Sequence, residues 1–113
     1  MIFVYITCKD KKEAQKMGQA LVKEKLAGCA NYWPIESIYH WSSSVKATEG
    51  KQGKLVKDKE FILIVKTVKS KFGQIEAKVK KSHSYQVPCI MALPVSKISQ
   101  KYFHWLKGEI KGF

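Results

Sequence analysis

The sequence predicts an α+β fold: a ferredoxin-like split βαβ sandwich with an extended hairpin and a C-terminal helix. Three observations predict it. Apolar runs rich in β-branched and aromatic residues recur as IFVYITC (2–8), FILIVKT (61–67) and CIMALPV (89–95). Segments with apolar residues at helical spacing lie between these runs. The two halves also echo one another: FVYIT, helix, GCANY is followed by FILIVKT, helix, PCIMAL. Two βα units joined by a hairpin give an antiparallel sheet with helices on one face. At 113 residues the chain is expected to be a single domain, 1–113.

Each element has its own local warrant. Strand 2–8 is followed by Asp10, an N-cap with Glu13 three residues later as in a capping box. Ala14, Met17, Leu21 and Val22 then make residues 11–26 an amphipathic helix, with Gly28 as its stop. A second strand runs from Cys29 to about Trp41, and Pro34 inside it requires an edge position or a bulge. Residues 42–59 are polar and lysine-rich and read as a long connection, the tip of the hairpin. After FILIVKT, Ser70 is placed to cap a helix carrying Phe72, Ile75 and Val79, which ends near Lys81. Pro88 opens a fourth strand expected to be central. Ser99 caps a last helix with Phe103, Leu106 and Ile110 on one face.

Composition excludes several classes. No apolar run approaches the ~20 residues of a membrane span. The N-terminal MIFVYITCKDKK has no basic region before its apolar run, so it reads as a first strand in a cytoplasmic protein and not as a signal peptide. Cys8, Cys29 and Cys89 form no CxxC pair and are odd in number, which argues against a disulfide framework or a zinc ribbon. The net charge of +12 arises from 21 basic residues, all of them lysine. Specific base and phosphate recognition leans on the bidentate fork of arginine, so this basicity reads as a solvated surface, and nucleic acid is not expected as a partner.

The strands carry a further message. If helices cover one face of an antiparallel sheet, a solvated second face demands alternation of apolar and polar residues. FVYI, FILIV and CIMAL do not alternate. Their second face must be buried too, and no remaining element is available to cover it, so self-association is expected.

The chain resembles the CutA divalent-cation-tolerance family along almost its whole length. The resemblance is carried by VYIT at 4–7, LVKEKLAGCANYWPIESIYHW at 21–41, IVKT at 64–67 and HSYQVPCI at 83–90. It implies a non-enzymatic homotrimer with a role in tolerance of divalent metals, copper especially. The 42–59 connection departs from the family's usual short acidic hairpin, being longer and basic.

Candidate chemistry gathers at few residues. Imidazole and thiolate suit copper or zinc, so His83 with a cysteine is the candidate metal pair. Cys89 heads an apolar strand, where a thiol usually acts as a small filler. The resemblance instead favours Cys29 with His83, meeting across subunits. Lys66 interrupts an apolar strand; its position and the resemblance make it, with Tyr85, a candidate site for a small anionic ligand at a subunit interface. The structural alternative for His83 is a helix-end role, and for Lys66 a packed stem with its ammonium in water. No G-x-S-x-G turn, P-loop or G-x-G-x-x-G is present, so catalysis is not expected. The rival class is an RNA-binding module of the RRM type, which shares the element order. FILIVKTV lacks the aromatic pattern such a module uses to stack bases.

Overall fold

A computed structural model describes residues 1–40 and 54–112. The elements follow as β1 (Ile2–Cys8), α1 (Lys11–Lys23), β2 (Cys29–His40), β3 (Leu55–Thr67), α2 (Phe72–Ser82), β4 (Ile90–Pro94) and α3 (Gln100–Gly108), with a 3₁₀ turn, Lys69–Lys71, before α2. The four strands form one sheet in the order β2-β3-β1-β4. All three pairings are antiparallel. This is the split βαβ arrangement that the sequence predicts.

The register sorts every strand residue onto one of two faces. Val4 and Ile6 of β1 lie opposite Val65 and Leu63 of β3, and pack with Ala14, Met17 and Leu21 of α1 and Ile75 and Val79 of α2. This is the core. The opposite face carries Phe3 and Tyr5 of β1, Ile62, Ile64 and Lys66 of β3, Trp33 of β2, and Met91 and Leu93 of β4. Trp33, Met91 and Leu93 are 41–48% exposed on it. The apolar second face expected from the strand composition is therefore real, and much of it is open in the single chain.

Several local expectations change. Helix α1 starts as predicted: the Asp10 side chain accepts the Glu13 N–H at 2.9 Å. It ends at Lys23 and not at 26, because Lys25 takes the left-handed conformation (φ 59°). The N–H groups of Leu26 and Lys25 then donate to the carbonyls of Leu21 and Val22, the paired bonds of a Schellman end. Gly28 has a different duty. A Cβ there would overlap Leu106 Cδ1 and lie 3.2 Å from its Cγ, so glycine is what lets α3 close on the start of β2.

Strand β3 begins at Leu55, so residues 55–59 belong to the hairpin arm and not to a connection. Trp41 and the basic stretch 41–53 lie outside the described residues. Ser70 sits within the 3₁₀ turn, and α2 starts without a side-chain cap. Strand β4 is an edge strand and not a central one. Pro34 lies on the other edge strand, β2, where its missing N–H costs no ladder bond on the open side. Helix α3 is capped by Ser99 as expected. It also overturns the expectation that nothing in the chain covers the second face. Leu106 and Ile110 join Val68 and Met1 in a small second core, and Tyr102 reaches Lys66.

Candidate functional site

The turn from α2 into β4 holds the HSYQVP motif and closes one end of the sheet. His83 follows the last helical residue, with its backbone extended (φ −75°, ψ 141°), and this turns the chain back across the end of β1. Its side chain is fully buried. The Tyr85 N–H donates to Nδ1 at 2.9 Å, which leaves the ring proton on Nε2. Nε2 donates to the Thr7 carbonyl at 2.7 Å. Both ring nitrogens are thereby engaged.

Glu13 stands beside the ring, with Oε1 4.0 Å from Nε2. Oε1 accepts the Lys9 N–H and Oε2 accepts the Ser84 N–H, each at 2.9 Å. Burial by itself would raise the Glu13 carboxyl, but these donors and the nearby imidazole outweigh it and hold the group below the usual carboxylate range. Cys8 completes the group. Its thiol is buried, and that burial, with Glu13, Asp10 and Glu60 nearby, pushes it up to about 12.

On the open face at the same end, the Tyr85 hydroxyl donates to Glu60 Oε2 at 2.6 Å. Glu60 is only 9% exposed. Burial and the adjoining carboxylate drive the Tyr85 phenol far above its ordinary range, so it remains a donor. Tyr5 and Cys89 are raised as well, first by burial and then by charges that include Glu60. The Tyr39 hydroxyl bonds Asp58 at 3.2 Å further along the hairpin arm.

The other predicted residues lie at the far end of the sheet. Cys29 pairs with Lys66, and Lys66 with Phe3, whereas His83 contacts Thr7. Four residues of β1 separate these levels, about 13 Å at strand rise. A single chain therefore brings together neither Cys29 with His83 nor Lys66 with Tyr85. Lys66 Nζ donates instead to the Tyr102 hydroxyl at 3.3 Å and sits 5.4 Å from the centre of that ring. Cys29 is a half-buried free thiol.

Among the described residues, Cys8, Glu13 and His83 place ligand atoms within 4.8 Å of one another. Their chemistry does not fit a metal as they stand. Both imidazole nitrogens and both carboxylate oxygens are already bonded, and the thiol is held protonated where a ligand must be thiolate. The trio is a hydrogen-bonded junction. Sequence reasoning missed Cys8 and Glu13 as neighbours of His83, and Glu60 as the partner of Tyr85. Glu60 had a readable signal, since it precedes an apolar run in phase with Ile62, Ile64 and Lys66.

Comparison with known proteins agrees with this architecture. The family model for the CutA1 divalent ion tolerance protein matches residues 2–109. The divalent-cation tolerance protein CutA of Archaeoglobus fulgidus is 36% identical over 109 residues, covering 96% of this chain and 97% of the relative. That of Thermus thermophilus is 38% identical over 105 residues, 92% of each. The crystal structure of CutA1 from Pyrococcus horikoshii superposes with a TM-score of 0.86 at 32% identity, covering 98% of this chain and 99% of that one. None of these names specifies a reaction. The structure of the A. fulgidus protein is described as periplasmic and a 37% identical relative from Arabidopsis thaliana as chloroplastic, so the relatives do not carry the cytoplasmic expectation. The chain spans 56% of that plant protein. No helix among the described residues is long and apolar enough to cross a membrane. By the match of 2–109 and the shared fold, the chain belongs to the CutA1 divalent ion tolerance family.

Proposed function

We propose that this chain is the one-domain subunit of a non-enzymatic homotrimer that acts in tolerance of divalent cations, copper foremost, in the cytoplasm. The open sheet face carries the reading. Trp33, Met91 and Leu93 stand on it at 41–48% exposure, in a sheet whose edges are β2 and β4. An apolar surface of this kind is a self-association surface, and edge strands supply the backbone groups that register one copy on the next. Three free thiols suit a reducing compartment.

Trimer formation also gives the separated residues a route to one another. In this reading Cys29 is the soft ligand for copper, and His83 joins it from a neighbouring copy by releasing the Thr7 carbonyl. Lys66 of one copy and Tyr85 of the next would flank a small anionic ligand in the same way. Light scattering on an exclusion column tests the assembly. The expected mass is three times the 12.9 kDa chain, and Trp33→Asp with Met91→Lys should reduce it to one. A wild-type monomer, or trimer mass retained by the double variant, would remove the interface from this face. Copper titration of the trimer and of Cys29→Ala then tests the metal; equal uptake by both would sink the assignment of Cys29.

A further inference from the structure

Among the described residues, seven of the chain's 21 lysines line two neighbouring grooves. Both run along α2 on the helical side of the molecule. One, of about 630 Å³, lies between α2 and the C-terminal segment and is lined by Lys71, Lys78, Lys81 and Lys111 over a floor that includes Leu26 and Ala77. The other, of about 530 Å³, lies between α1 and α2; it shares Lys78 and Lys81 and adds Lys9, Lys12 and Lys16. The two grooves adjoin at Lys78 and Lys81, which line both, and together they make a basic track along α2. Lys71 to Lys81 alone spans about 15 Å at helical rise.

The carboxylates of the track are spent internally. Asp10 caps α1, Glu13 accepts the Lys9 and Ser84 N–H groups, and Glu24 pairs with Lys78. Among the described residues, no carboxylate pairs with the ammonium of Lys9, Lys12, Lys16, Lys71, Lys81 or Lys111. This side faces away from the open sheet face. What remains is a concave row of cations held open without counter-charges, and its complement is a flexible chain of anions.

The lining also narrows the kind of anion. Among the described residues no aromatic side chain lines either groove, and none of them offers a platform for stacked bases. No arginine is available for bidentate reading of a single phosphate, and lysine acts as a point charge. We propose that the α1–α2 track is a docking surface for linear inorganic polyphosphate, recognised by charge alone. The inference is independent of the metal and trimer readings, since every residue it uses lies on one subunit.

Fluorescence anisotropy of end-labelled long-chain polyphosphate with the full chain tests it. Wild-type binding should weaken linearly with salt on a log–log plot. Lys16→Glu with Lys81→Glu should weaken it by about ten-fold or more and lower the slope by about 1.4, two contacts at about 0.7 each as for single-stranded polyanions. Lys97→Glu with Lys101→Glu, a pair of equal charge change outside the track, should bind within about two-fold of wild type, as net charge alone moves both pairs equally. Circular dichroism and mass identify folded variants, and the milder Lys16→Ala with Lys81→Ala should show the same ranking. Three outcomes overturn the proposal: no binding, equal loss in the two charge-reversed pairs, or tighter binding of single-stranded RNA or of anionic phospholipid vesicles than of polyphosphate.

Discussion

The two ends of the sheet are closed by opposite means. At the end where β1 finishes, the segment from His83 to Cys89 is tied down almost wholly by polar contacts: His83 to Thr7 and Tyr85, Glu13 to Ser84, Tyr85 to Glu60. At the end where β1 begins, α3 closes the fold with apolar volume, as Leu106 and Ile110 bury against Val68 and Met1. Its polar ties are mostly backbone, such as Gly28 N–H to the Lys66 carbonyl at 2.9 Å and Lys111 N–H to the Lys25 carbonyl at 2.9 Å. A polar closure depends on specific atoms and on their protonation, whereas an apolar closure depends on shape and volume. The HSYQVP turn lies at the polar end, where few other residues supply the same donors and acceptors.

The largest effect should come from breaking the polar end. His83→Ala removes the partners of the Thr7 carbonyl and the Tyr85 N–H, both close to a fully buried ring. Unsatisfied buried groups cost about 1–3 kcal/mol each, so a loss of about 3 kcal/mol is expected. Urea unfolding in the presence of a chelator measures it with metal out of play. An unchanged midpoint would show that the ring is dispensable to the fold and leave metal binding as its main role.

At the apolar end the expected effect is smaller and steric. Gly28→Ala would drive a Cβ into Leu106 Cδ1, and Leu106 is fully buried, so it cannot swing clear. Overpacking of this kind costs typically 1–3 kcal/mol, and about 2 kcal/mol is expected here. Hydrogen exchange should place the loosening in α3 and the start of β2. Loosening around residues 83–89 instead would mean that the two ends are not independent.

The contrast also explains what the sequence can reveal. The apolar end is legible because volume follows local pattern: Phe103, Leu106 and Ile110 announce a helix face, and the succession of strands along the chain follows from FVYIT, FILIVKT and CIMAL, although the edge position of β4 does not. The open sheet face is legible for the same reason. The polar end is legible only in halves. Asp10 and Glu13 announce a helix cap, but nothing local says that the second oxygen of Glu13 reaches Ser84, 71 residues on. Cys8 reads as core filler, which it is, yet its closeness to His83 follows only from the register. The missed boundaries have a similar cause. LVKDK (55–59) looks like loop because its strand conformation comes from pairing with β2 and not from its composition.

The smallest of these effects separates the two ends most cleanly, because it depends on pH. Glu13 is ionised more readily in the folded chain than in the unfolded one, since the Lys9 and Ser84 N–H groups and the His83 ring outweigh the burial that opposes it. A carboxyl lowered on folding contributes stability that is present above its unfolded value, about 4.3, and is lost as pH falls through the lower folded value. Glu13→Gln should therefore cost about 1.5 kcal/mol at neutral pH, the lower end of the scale for a hydrogen bond to a charged acceptor, at a side chain that is 10% exposed. Its deficit should shrink as pH falls below about 4, where the wild-type carboxyl takes up the proton and comes to resemble the amide. Gly28→Ala provides the control, since a steric clash with Leu106 involves no titrating group and its deficit should stay level across the same range. Thermal melts of the three proteins from neutral to acid pH would show one gap closing and one constant. A Glu13→Gln gap that persisted into acid would mean that the carboxylate holds the turn by shape and not by charge, and the two ends would then differ less than their contacts suggest.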